Sequence, residues 1–226
     1  MTFTPTHSEV YYGISIGYYN QFKEAYSEIN KMSDGNGNVQ MLDLSVDEQS
    51  KFYWLESLQR QALMICIVFQ AFAIEAFVNM VAVNLYDEDE FFNNFEKMGT
   101  EKKINKIFSE KLKSDYKSKH PEIKSLVDLA FNLRDSLAHH KSKKVDLVEM
   151  QKDPIGYGYH PYQDLMTHYD KIDDVVKAYE QFKLCVNTLL GYDIFEKQME
   201  DLNKSLQFNI NEIFRKGFGI ELSDDI

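Results

Sequence analysis

The chain is poor in the residues that interrupt a helix or staple a loop. Among 226 residues there are 4 prolines, 10 glycines and 2 cysteines. The two cysteines, Cys66 and Cys185, sit in apolar surroundings, which excludes a disulfide scaffold or a cysteine-only zinc site and reads as core filling. Few turn residues and no long apolar/polar alternation argue against a strand-rich fold. Basic residues are outnumbered: 25 Lys+Arg against 36 Asp+Glu give −11, a balance opposed to a general nucleic-acid coat protein. Arginine is the scarcest base, present only as Arg60, Arg134 and Arg215. No Walker-type glycine loop and no Gly-x-Ser-x-Gly elbow occur, so the corresponding nucleotide-hydrolase and serine-hydrolase chemistries are excluded. Met1 to Val10 lacks the basic start and apolar core of a targeting signal, so a cytoplasmic location is expected.

What is present is helical periodicity. The expected fold is a single all-α domain over 1–226, an up-down bundle of four to five core helices with extra N- and C-terminal helices. Ser8 can cap a first helix from about Glu9 to Met32, with Tyr12, Ile16, Tyr19, Phe22, Tyr26 and Ile29 recurring at three and four. Asp34-Gly35-Asn36-Gly37-Asn38 forces a loop. Ser45 with Glu48 forms a capping-box pattern and opens a second helix to about Tyr86. That helix is apolar on more than one side, so it belongs in a bundle core, a dimer interface or both. Its stretch Ala62–Leu85 has the length of a membrane span, but Gln70, Glu75, Asn79 and Asn84 interrupt it, and a buried core helix is the expectation.

Asp87 to Met98 reads as a short acidic helix ended by Gly99, with Thr100 capping the next. Glu101 to Leu112 is lysine-rich, with Ile104, Ile107 and Phe108 inward. Lys113 to His120 reads as a polar linker, and Pro121 starts a further helix, where its missing N–H costs nothing. Lys141 to about Pro161 reads as loop with an extended piece at Val145–Met150, its Tyr157, Tyr159, His160 and Tyr162 on turns over the core. A last core helix is expected from about Gln163 to Leu190, and a C-terminal helix from Tyr192 to Asn209. His160, Asp164 and His168 have metal-ligand spacings, but Pro161 disfavours a helix there; neither a metal nor a cofactor is expected.

Charge is unevenly spread. Residues 101–144 hold 12 basic and 6 acidic residues, a local +6 that leaves −17 for the remainder. Such a block can attract a polyanion, or can be a solvated lysine-rich helix pair. Inside it lies Leu133-Arg134-Asp135-Ser136-Leu137-Ala138-His139-His140-Lys141. Five helical steps from Arg134 to His139 turn about 140° and rise about 7.5 Å, so the two side chains share no stripe unless the helix frays after Ala138. Arg134 sits on the apolar face and needs an acidic partner, for which Glu75 is the candidate. An Arg fork can hold a phosphate, and a His titrating near neutrality can move a proton to or from a ribose or leaving oxygen. Two histidines would serve as base and acid, with His140 a local second.

Arg134 to His139 resembles the Arg-x4-6-His signature of HEPN domains, the all-α nucleotide-associated ribonuclease superfamily, with a polar Asp135 directly after the Arg. Ala73-Ile74-Glu75-Ala76-Phe77-Val78-Asn79 is similar to the long apolar second core helix of many members. The resemblance spans about 45–190. It implies a helical bundle that dimerises so that both motifs face one cleft. It implies metal-independent RNA cleavage, with Arg134 and His139 central and Asp135 or Glu75 orienting. It also implies a setting in toxin–antitoxin, phage defence or abortive infection, hence an antitoxin or other protein partner. His140 and the RNA-facing Lys141, Lys143 and Lys144 complete the expected site. The rival expectation is a catalytically silent helical interaction or nucleotide-binding module, with Arg134 and Glu75 a buried pair.

Overall fold

The computed structural model describes residues 6–33, 39–138, 169–201 and 203–205. Every regular element among these is helical and none is a strand, so the fold class is all-α. The main helices are α1 (Thr6–Lys31), α2 (Val46–Leu85), α3 (Thr100–Glu110), α4 (Pro121–Ala138) and α5 (Ile172–Leu190), with α6 beginning at 194.

α2 is the axis of the bundle. Its start is fixed by the Ser45 capping box: Glu48 N–H donates to Ser45 Oγ at 3.4 Å and Ser45 N–H donates to Glu48 Oε2 at 2.8 Å. Its 40 residues extend about 60 Å. α1, α3, α4 and α5 all pack on it, burying Leu63, Ile67, Ile74, Phe77 and Val81. The helix is long and apolar enough to cross a membrane by length and composition, and 56% of its most apolar stretch is covered by the bundle. Its polar residues have local uses. Gln70 Nε2 donates to the Val176 carbonyl of α5 at 2.9 Å, and Asn84 Nδ2 donates to Met80 O at 2.7 Å. Cys66 is buried against α1, where Ser15 Oγ donates to its carbonyl at 3.0 Å. Burial pushes the Cys66 thiol up to about 11, as a core-filling cysteine requires.

Three helix starts differ from the pattern. α1 is already helical at Thr6, the first described residue, so the expected cap Ser8 lies inside the helix. Ser8 is 2% exposed and bonds Tyr179 instead, whose hydroxyl donates to Glu9 at 2.9 Å. A residue with capping chemistry is thus spent on docking α1 to α5. Gly99, not Thr100, is the N-cap of α3, in extended backbone with no side-chain bond. α5 runs from Ile172, with a tighter turn at Tyr169–Lys171 just before it, where a regular helix is expected. Its end matches: Gly191 adopts φ 77°, the left-handed conformation that favours glycine. Asp193 then caps α6, accepting from Phe195 N–H at 2.8 Å and from Asn187 Nδ2 at 2.8 Å, so the helix starts at 194, two residues after the expected Tyr192.

The connections are more structured than polar composition suggests. The expected helix at Asp87 to Met98 is one α-turn, Glu88–Glu90, widening into a π-turn, Phe91–Phe95, that buries Phe91 and Phe95. In the expected linker, Asp115 accepts from Ser118 N–H at 2.9 Å and caps the turn Tyr116–Lys119, placing Tyr116 in the core. Ser114 Oγ lies 2.9 Å from His120 Nε2, and His120 Nδ1 lies 3.5 Å from Cys185 Sγ, which pins this connection to α5. Outside the described residues fall the Asp34–Asn38 loop, the loop Lys141–Pro161 with its aromatics, the His160–Asp164–His168 spacing, the expected helical residues 163–168, and the C-terminal helix beyond 205.

Candidate functional site

Three helices bring charged and polar groups together near the C-terminal half of α4. Arg134 is set by helical phase: Val127, Ala130 and Leu133 are buried and hold α4 against α2 and α5. Its guanidinium lies 5.0 Å above the Phe131 ring, a favourable cation–π placement. Nε and Nη2 both donate to Asp135 Oδ1, at 2.9 and 2.6 Å. Nη1 faces Glu75 Oε2 of α2 at 3.8 Å, an ion pair beyond hydrogen-bond length. The side chains remain open to solvent, 25% exposed for Arg134, 39% for Glu75 and 51% for Asp135. The expected Arg134–Glu75 pairing is thus present, but it is partly solvated rather than buried.

The third helix adds a residue the sequence pattern does not single out. Lys103 of α3 is 5% exposed, and its Nζ donates to Asn79 Oδ1 at 2.8 Å. Burial holds its pKa below the ordinary lysine value, with the carboxylates of Glu75 and Glu96 pulling in the other direction. Asn79 lies one turn beyond Glu75 on the same face of α2. In a run of lysines Lys103 reads as solvated; the available signal is its i, i+4 phase with the buried Ile107.

Of the other expected site residues, His139, His140, Lys141, Lys143 and Lys144 lie outside the described residues. The basic block is less free than its charge suggests. Lys106 lies 3.5 Å from Glu90, Lys117 lies 3.5 Å from Glu101, and Lys124 pairs with Asp128. Lys117 and Lys124 border an open groove of about 380 Å³ along α4, with Asp128, Leu129 and Asn132, which does not include Arg134 or Glu75. No group of three or more candidate metal ligands occurs among the described residues.

Chemically, the cluster offers a part-exposed guanidinium with one edge anchored on Asp135 and Nη1 facing the Glu75 carboxylate. No protein-family model matches the chain, and no curated protein or solved structure does.

Proposed function

We propose that the chain is a HEPN-like endoribonuclease that cleaves RNA by attack of a ribose 2′-hydroxyl on the adjacent phosphorus. Arg134 holds the phosphate through its Nη1 edge, Asp135 and Glu75 orient the guanidinium, and His139 moves the proton. As base it takes the 2′-hydroxyl proton while the oxygen bonds to phosphorus; the P–O5′ bond then breaks and the leaving oxygen takes a proton from a second histidine. That histidine is the partner subunit's His139 in a homodimer, or His140. Lys141, Lys143 and Lys144 contact RNA, and toxin or phage-defence use, restrained by an antitoxin, fits such an activity. The observation that carries the reading is the orientation of Arg134, a 25% exposed side chain tied along one edge to Asp135 while Nη1 makes only the looser 3.8 Å contact to Glu75, which suits binding of an oxyanion.

The test is cleavage of a broad RNA panel by the purified protein. Arg134→Ala and His139→Ala are expected each to abolish cutting, by about 10²-fold or more, with unchanged helical circular dichroism. A chelator is expected to leave the rate unchanged. Wild-type protein that cuts no RNA in the panel would overturn the reading.

A second reading has its own support. Both acids beside Arg134 satisfy its charge, as in a catalytically silent interaction or nucleotide-binding module. In that case Arg134→Ala alters partner or nucleotide binding, and no variant changes RNA.

A further inference from the structure

Lys103 stands where a lysine is costly. Burying an ammonium against a single neutral acceptor loses more solvation than one hydrogen bond returns. A residue needed only to fill space between α2 and α3 would be better as leucine or methionine. The groups around it are Asn79 and Glu75 on α2 and Glu96 ahead of α3, with Arg134 and Asp135 beyond Glu75 on α4. Lys103 is bonded to Asn79, one turn from Glu75 on α2, so Glu75 lies in the field of this buried cation as well as in its ion pair with Arg134.

This arrangement bears on what happens when Arg134 engages a phosphate. Its tight bonds go to Asp135 and need not break. The contact it must surrender is the looser one, 3.8 Å to Glu75. Without another positive charge nearby, Glu75 would then face an incoming anion as an uncompensated carboxylate, opposing binding. Lys103 supplies that charge from the buried side, where it cannot itself be taken by the ligand.

We infer that Lys103 is a positioning residue for Arg134: it remains the counter-charge of Glu75 and so releases the Nη1 edge of Arg134 to an RNA phosphate. The inference rests on the phosphate-binding role proposed above for Arg134. It concerns charge, so the hydrogen bond to Asn79 is not enough to sustain it.

The experiment uses the full chain with Lys103→Met, Lys103→Gln and the double variant Lys103→Met with Glu75→Gln. Gln keeps a donor toward Asn79 without the charge. Binding of a fluorescent single-stranded 2′-deoxy oligonucleotide, which lacks the attacking hydroxyl, is measured by anisotropy at fixed low salt. KM and kcat are measured on RNA. Both single variants are expected to bind the oligonucleotide about tenfold more weakly and to raise KM more than they lower kcat. Removing the Glu75 charge in the double variant is expected to restore binding to within about threefold of wild type, a rescue that no packing role predicts. Wild-type binding by Lys103→Gln, or a double variant as weak as Lys103→Met, overturns the inference while leaving the ribonuclease reading intact. Loss of helical circular dichroism in both single variants would make Lys103 structural and also overturn it. A wild-type protein that neither binds the oligonucleotide nor cuts RNA fails the ribonuclease reading itself.

Discussion

At the scale of single residues, the structure separates charge that is spent from charge that is placed. Lys106, Lys117 and Lys124 face acids on the surface, where exposed pairs contribute at most about 1 kcal/mol. Lys103, in the same lysine-rich block, is buried beside the candidate site. The sequence pattern correctly couples Arg134 to Glu75, because an arginine on an apolar face demands an acid. It misses Lys103, because neighbouring lysines hide one that lies on the inner phase of α3. Backbone conformation gives a similarly local prediction. Lys113 has φ 50°, a positive value carried by no other non-glycine among the described residues. A side chain there costs about 1 kcal/mol relative to glycine. Lys113→Gly is expected to stabilise the fold by up to about 1 kcal/mol in urea unfolding, after the greater freedom of glycine in the unfolded chain is offset. Destabilisation would mean that the lysine side chain makes contacts that outweigh the strain.

Helix boundaries were legible where a side chain caps its own helix and illegible where it bonds elsewhere. Ser45 and Glu48 are reciprocal partners three residues apart, so the local pattern is sufficient. Pro121 and Gly191 act through their own backbone preferences and also stand where expected. Ser8 has the same capping chemistry as Ser45, yet its hydroxyl serves Tyr179, 171 positions away along the chain; only the tertiary fold decides between the two uses. The Ser45 cap yields a prediction for α2 with a definite pH dependence. Bonds from the Ser45 side chain and backbone hold the Glu48 carboxyl below its usual range. A depressed carboxylate contributes stability above its unfolded pKa and loses it as pH falls through the folded value. Ser45→Ala is expected to cost about 1 kcal/mol near neutrality, and its gap from wild type should narrow in acid as Glu48 is protonated. Denaturant titrations at both pH values check this; a gap that widens in acid refutes the assignment of the cap to the ionised Glu48.

At the scale of the whole molecule, the all-α class followed from periodicity and scarce turn residues, whereas the assembly state is not encoded in any such pattern. The face of α2 that leads toward the site supplies an argument for it. Trp54, Leu58, Gln61, Ile65, Val68, Phe72 and Glu75 recur at alternating steps of four and three, the spacing of one helical seam. Trp54 is 62% exposed and Phe72 38%, so this seam is incompletely covered within one chain, and at its end Glu75 meets Arg134. Pairing of two chains along it would cover the aromatics and bring two Arg134 clusters toward one another, as the cross-dimer form of the proposed two-histidine chemistry requires. Trp54 is the only tryptophan, so tryptophan emission, excited selectively beyond the tyrosine absorption band, reports on this face alone. Dilution is expected to shift its emission to the red as sedimentation mass falls toward 26.5 kDa. Phe72→Lys is expected to weaken dimerisation by at least about tenfold and to reduce RNA cleavage in parallel, although part of any stability loss will reflect its ring contacts with Tyr11 and Phe69. A Trp54→Lys variant separates the two effects, since a largely exposed side chain contributes little to the monomer. Full RNA cleavage by a variant that sediments as a monomer would exclude a cross-dimer site and leave His140 to supply the second proton transfer.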